Sequence, residues 1–121
     1  MDLVGVVPFG SRIVVLLGNG DGTFKSPVEY LDPNHRPFSI AISDFNGDGN
    51  LDVAVANSDT SAFLTLFPGR GDGTLGTPKF FQVGLGSTAV AAGDFNGDKK
   101  IDVLVMNSHT FNFTVLLNTS P

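Results

Sequence analysis

The sequence has no cysteine and no tryptophan, only one tyrosine, and just 16% charged residues. Without cysteine there can be no disulfide, zinc–thiolate site or thiol nucleophile. Such a composition suits a cytosolic chain, and equally an extracellular one in which metal ions take the place of disulfides. The scarcity of charge argues against a disordered polyelectrolyte. The net charge of −5 makes nucleic acid and anionic membranes poor partners. No apolar run reaches the length of a membrane span, and Met1-Asp2-Leu3-Val4-Gly5 lacks the basic segment of a signal peptide. If the parent is exported, its signal is expected outside this chain. No stretch shows a convincing helical period, and glycine or proline punctuates the chain at intervals.

Against these absences stand 41% hydrophobic residues, eleven of them Phe, in 121 positions, which is enough for one domain with a core. The acid is concentrated: of twelve Asp and Glu, six fall in segments 44–52 and 94–102. Those segments belong to an internal repeat. Asp44-Phe45-Asn46-Gly47-Asp48 recurs fifty residues on as Asp94-Phe95-Asn96-Gly97-Asp98, with thirteen identities over the twenty-five positions 44–68. The match runs on through Asp52/Asp102, Val53/Val103, Val55/Val105, Asn57/Asn107, Phe63/Phe113 and Leu66/Leu116. A second phrase, Gly18-Asn19-Gly20-Asp21-Gly22-Thr23-Phe24, returns as Gly69-Arg70-Gly71-Asp72-Gly73-Thr74-Leu75. The chain divides into a partial copy (1–36), a complete copy (37–86) and a second partial copy (87–121). Asp2 aligns with Asp52 and Asp102, so the first copy opens inside a loop. The pattern is that of a fragment, or of a protomer that needs a partner.

Four short strands are expected in the complete copy, over 38–43, 51–56, 63–67 and 79–83. The first two alternate apolar or branched with small residues, and Asp72-Gly73 marks a hairpin turn before the fourth. Four antiparallel strands per fifty-residue repeat describe a blade of an all-β propeller. The next copy's first strand, Ala89-Val90-Ala91-Ala92-Gly93, has the small side chains that a crowded propeller axis admits. Phe45 and Phe95 are expected to pack between neighbouring blades.

Asp44, Asn46, Asp48 and Asp52 occupy loop positions 1, 3, 5 and 9, and Asn50 at position 7 can offer its backbone carbonyl. This is an oxygen-only donor set for Ca²⁺, a hard cation that takes six to eight oxygens. Gly49 at position 6 permits a sharp turn. The second loop repeats the set with Asp94, Asn96, Asp98, Asp102 and the carbonyl of Lys100, but Lys99 replaces the glycine. Two Ca²⁺ sites are therefore expected, the second the weaker. EF-hands are excluded because position 12 is Val55 or Val105 rather than a bidentate Glu. The bland alternative, acidic turns chosen for backbone geometry alone, is disfavoured by the recurrence of the same four ligand types.

Asp-Phe-Asn-Gly-Asp-Gly-x-x-Asp followed by a Val-Ala-Val strand, and then Gly-x-Gly-Asp-Gly-Thr-Phe, resembles the FG-GAP or VCBS repeat over nearly the whole chain. The resemblance implies blades of a seven-bladed propeller like those of integrin α-subunits, of many secreted proteins and of some fungal lectins. It also implies calcium in the loop between the first two strands of a blade, and an extracellular or cell-surface location. At most three blades are supplied here, two of them incomplete, so self-association or a longer parent chain is expected.

The remaining features are weaker. Arg70-Gly71-Asp72 reads as a turn, since Asn19-Gly20-Asp21 stands in the same place. Asn112-Phe113-Thr114 and Asn118-Thr119-Ser120 are glycosylation sequons. His35 and His109 read as isolated surface residues. The Gly-x-Gly-Asp-Gly phrase lacks the strand-to-helix setting of a phosphate loop. No acid–base pair stands apart from the acidic loops, so an enzyme is not expected. The leading function is a calcium-stabilised scaffold for protein ligands. The alternatives are a propeller lectin holding carbohydrate between blades, which the lack of Trp disfavours, and a non-catalytic accessory region of a secreted enzyme.

Overall fold

The computed structural model describes residues 1–33, 36–58, 60 and 62–120. Its elements are β1 (Leu3–Val7), a 3-10 turn at Pro8–Gly10, β2 (Arg12–Leu16), β3 (Val28–Leu31), β4 (Pro37–Ser43), β5 (Asp52–Asn57), β6 (Phe63–Phe67), β7 (Lys79–Gln82), β8 (Ser87–Gly93), β9 (Asp102–Asn107) and β10 (Asn112–Leu116). They form three antiparallel sheets, β1-β2-β3, β4-β5-β6-β7 and β10-β9-β8, each a meander of sequential neighbours. The four strands expected in the complete copy are all present. Stacked in chain order, the sheets make an unclosed, propeller-like array.

Period-two alternation sends successive side chains to opposite faces, and β5 uses both. Val53 and Val55 join Phe67, Ile13 and Val15 in a core between the first and second sheets. Ala54 joins Phe45, Leu64, Val83, Val103 and Val105 in a second core, between the second and third sheets. All six residues of β5 are buried, because it is the one second strand with a sheet on each side. The small residues of β8 pack against β4, as expected for innermost strands. Phe45 is buried between two sheets as predicted, but Phe95 is 48% exposed because no further sheet covers it.

The repeat register differs from the sequence alignment in the third strand. Val55 pairs with Thr65, and its equivalent Val105 pairs with Thr114 rather than Val115. Structurally, Leu64 therefore corresponds to Phe113 and Phe67 to Leu116, which overturns the pairing of Phe63 with Phe113 and of Leu66 with Leu116. The cause is loop length. The connection from Asn57 to Phe63 is one residue longer than those from Asn107 to Asn112 and from Val7 to Arg12. A slip of one residue would turn every side chain to the wrong face, so the strand follows its pattern of burial rather than its identities. Both shorter loops end in a left-handed residue, Ser11 at φ 52° and Phe111 at φ 53°.

Candidate metal centre

Both acidic loops lie where the first strand of a repeat turns into the second, β4 to β5 and β8 to β9. In the first, Asp44 Oδ1 accepts the N–H groups of Gly47 (2.8 Å) and Asp48 (3.2 Å), and Oδ2 accepts that of Gly49 (2.9 Å). The second loop repeats this arrangement. Asp94 Oδ1 accepts from Gly97 (2.7 Å) and Asp98 (3.2 Å), and Oδ2 from Lys99 (2.8 Å). Asn46 and Asn96 accept from Asp48 and Asp98 N–H, and Asp48 and Asp98 accept from Asn50 and Lys100 N–H. Each backbone thus curls around its own carboxylates. In the second loop the Lys99 N–H, first of all, holds the Asp94 carboxyl below its ordinary value.

Two sites in each loop require a left-handed backbone. Gly49 sits at φ 86° and Lys99 at φ 69°. A non-glycine residue there costs about 1–2 kcal/mol, so the strain anticipated at Lys99 is present. The ammonium of Lys100 donates to the Ser120 carbonyl. Lys99 and Lys100 border a cleft that they share with Asp44, Asn46 and Asn118, so the two loops are close neighbours.

Position 9 has a role that the sequence reading did not assign. Asp52 is fully buried, and its two oxygens accept the N–H groups of Phe45 (2.9 Å) and Gly69 (2.8 Å). Asp102 does the same for Phe95 (2.9 Å) and Asn118 (2.8 Å), and Asp2 accepts from Gly18 (2.8 Å). This carboxylate clips the start of the acidic loop to the segment that leaves the third strand. The approach is close: a Cβ on Gly69 would lie 1.9 Å from the Leu51 carbonyl oxygen, which explains the glycine. The recurrent Gly18/Gly69 opening the second phrase was the available signal. In the third copy Asn118 stands in that place, and its amide donates to the Ile101 and Phe45 carbonyls.

The carboxylates converge differently in the two loops. One oxygen each from Asp94, Asp98 and Asp102 lie within 4.8 Å of one another, and among the described residues no other trio of acidic or His side chains does so. Oxygens bound to one Ca²⁺ at roughly 2.3–2.6 Å stand no more than about 5 Å apart, so this spacing fits the ion. A carboxylate has about four lone-pair sites, and Asp94 uses three on N–H groups, which leaves acceptor capacity. The loop Asp44, Asn46, Asp48, Asn50, Asp52 has the same hydrogen bonds without that convergence.

The other motifs resolve as turns. Asp72 Oδ1 accepts the N–H (2.9 Å) and hydroxyl (2.6 Å) of Thr74, as Asp21 does from Thr23, so Arg70-Gly71-Asp72 is a capped hairpin turn. Asn112 Oδ1 accepts from Asn107 and Thr110. His109 is exposed, with its ring against Gly86, while His35 lies outside the described residues. No helix among the described residues is long and apolar enough to cross a membrane.

No curated protein and no solved structure matches the chain significantly. An FG-GAP-like repeat matches over residues 1–55 and again over 44–105. Two overlapping matches, each running from one copy into the next, agree with three sheets in succession, with the acidic loops inside the second and third. The chain thus belongs to the FG-GAP-like repeat family.

Proposed function

We propose that the chain is a calcium-stabilised repeat module of an extracellular or cell-surface protein, serving as a scaffold for binding a protein ligand. The observation that carries this reading is the convergence of Asp94, Asp98 and Asp102 within a loop whose amides orient the carboxylates. The repeats run 1–36, 37–86 and 87–121. Ca²⁺ is held by Asp44, Asn46, Asp48 and Asp52 with the Asn50 carbonyl, and by Asp94, Asn96, Asp98 and Asp102 with the Lys100 carbonyl. The second loop is the weaker, because the ammonium groups of Lys99 and Lys100 stand beside it and oppose a cation. The ion would neutralise clustered carboxylates and lock two strands of one sheet together. In a scaffold of this kind, the ion's contribution is stability rather than chemistry.

Thermal melting with calcium and with EDTA tests the reading. An ion bound only by the folded state at about a hundred times its Kd adds about 2.7 kcal/mol per site. A rise in Tm on the order of 10 °C follows for a domain of this size. Coincident melts would remove calcium from the account.

A further inference from the structure

The two sequons, Asn112-Phe113-Thr114 and Asn118-Thr119-Ser120, lie on β10 and just after it, and the fold treats their amides in opposite ways. Asn112 is exposed and opens β10 directly after the turn at Phe111. Its Oδ1 accepts from Asn107 Nδ2 (3.1 Å) and Thr110 Oγ1 (2.8 Å), so the oxygen faces its own sheet and turn. Nδ2, on the other side of the planar amide, donates to no group among the described residues. A sugar bonded there breaks no hydrogen bond of the fold. The exposure belongs to the position in the repeat. Arg12 of β2 and Phe63 of β6 hold the same place, and they are 49% and 42% exposed although each of their sheets has a further strand beside them.

Asn118 is half-buried, and both ends of its amide are engaged. Nδ2 donates to the carbonyls of Ile101 (3.1 Å) and Phe45, and Oδ1 accepts the N–H of Ser120 (2.9 Å). Its place in the complete copy is taken by Gly69, which is buried and closely surrounded. A glycosylated amide keeps a single N–H, so a sugar at Asn118 would break one of the two carbonyl bonds. It would also have to fit where the third strand passes the acidic loops.

We infer that Asn112 is an N-glycosylation site of this chain and that Asn118 is not; the inference rests on the extracellular reading above. In the transfer, Asn112 Nδ2 bonds to C1 of an oligosaccharide carried on a polyprenyl diphosphate. The C1–O bond breaks, its electron pair leaves with the diphosphate, and Nδ2 gives up one proton to a base of the transferase. In the folded sheet the sequon's Thr114 Oγ1 is bonded by Asn107 Nδ2 (2.8 Å), so transfer precedes the pairing of β10 with β9. Folding then keeps a glycan at Asn112 and is opposed by one at Asn118. The β9–β10 connection lies at the end of the sheet opposite the acidic loop, so the glycan leaves the candidate metal centre clear. Phe111, 93% exposed beside it, offers an apolar ring for the first sugar to cover.

The full chain, carried into the secretory pathway of a eukaryotic cell by an added cleavable leader, tests this. Secreted protein is treated with peptide N-glycosidase in heavy-oxygen water, and the labelled positions are read by mass spectrometry. Label is expected at Asn112 and not at Asn118. Asn112→Asp keeps the accepting oxygen and should abolish the glycosidase-sensitive mobility shift. Ser120→Ala removes the second sequon while leaving the Asn118 side chain in place, and should leave the shift unchanged. If little protein is secreted, the soluble luminal fraction is read in the same way. An unlabelled Asn112, label at Asn118, or a shift that survives Asn112→Asp would each overturn the inference. Because the leader is supplied, these outcomes do not depend on the extracellular reading, whose failure shows separately as a native protein confined to the cytosol.

Discussion

Replacing Asp52 by Ala separates the buried clip from the metal. Its two oxygens take the N–H groups of Phe45 and Gly69, both in buried residues. Truncation leaves two buried donors without acceptors, at roughly 1–3 kcal/mol each, for a loss on the order of 2–6 kcal/mol. With about 4 °C of Tm per kcal/mol near this size, the melt should fall by roughly 8–24 °C. The informative comparison is differential scanning calorimetry in excess calcium and in excess EDTA, alongside Asp48→Ala. The exposed Asp48 carboxylate accepts the Asn50 N–H at 2.9 Å. Asp48→Ala should therefore melt close to wild type in EDTA and lose its deficit only when calcium is withdrawn. Asp52→Ala should stay well below wild type in both. If Asp52→Ala and wild type coincide in EDTA, the carboxylate serves only the ion and the clip argument is wrong.

Two further outcomes follow from the loops and turns. Lys99→Gly removes a side chain held at φ 69° and should raise stability in EDTA by about 1 kcal/mol, read as a higher urea midpoint at unchanged m-value. Asp21 and Asp72 have carboxyls held below the ordinary value of 3.8, chiefly by the hydroxyls of Thr23 and Thr74 and then by their N–H groups. A carboxyl depressed by folding contributes stability that is full above its unfolded pKa and is lost as pH falls through the folded one. Melting temperature in EDTA should thus decline below about pH 4, and Thr74→Val should flatten that decline.

Much of this fold was legible because the sequence states it more than once. Strand boundaries, the acidic hairpin loops and the burial of Phe45 all follow from period-two patterning and the repeat. The third-strand register was not legible from identities. Phe63 and Phe113 align in sequence, yet hydrogen bonding sets Thr65 beside Val55 and Thr114 beside Val105. Side-chain chemistry agrees with the structural register, since Asn57 donates to Thr65 Oγ1 (3.2 Å) and Asn107 to Thr114 Oγ1 (2.8 Å). The clue was there: Asp2 and Asp52 are fifty apart, but Gly18 and Gly69 are fifty-one apart, so the middle copy carries an extra residue between them.

The candidate site was half legible. Spacing of alternate oxygens marks loop positions 1, 3 and 5, and these side chains do accept N–H groups of their own loop, as local backbone dictates. Position 9 bonds to residues 69 and 118, distant in sequence, so its buried clip follows from tertiary packing alone. The same holds for Asp32, buried at the end of the first sheet and bonded by Thr65 Oγ1 of the second at 2.9 Å. Asn118 reads as a sequon, yet its amide donates to the Ile101 and Phe45 carbonyls and ties the second sheet's loop to the third's.

Isothermal titration of the metal-free chain with CaCl₂ tests the central claim most directly. Saturable binding at two sites per molecule is predicted, with Asp94→Ala abolishing the weaker and Asp44→Ala the tighter. Absence of any saturable heat at millimolar calcium, or binding that survives both substitutions together, would contradict it.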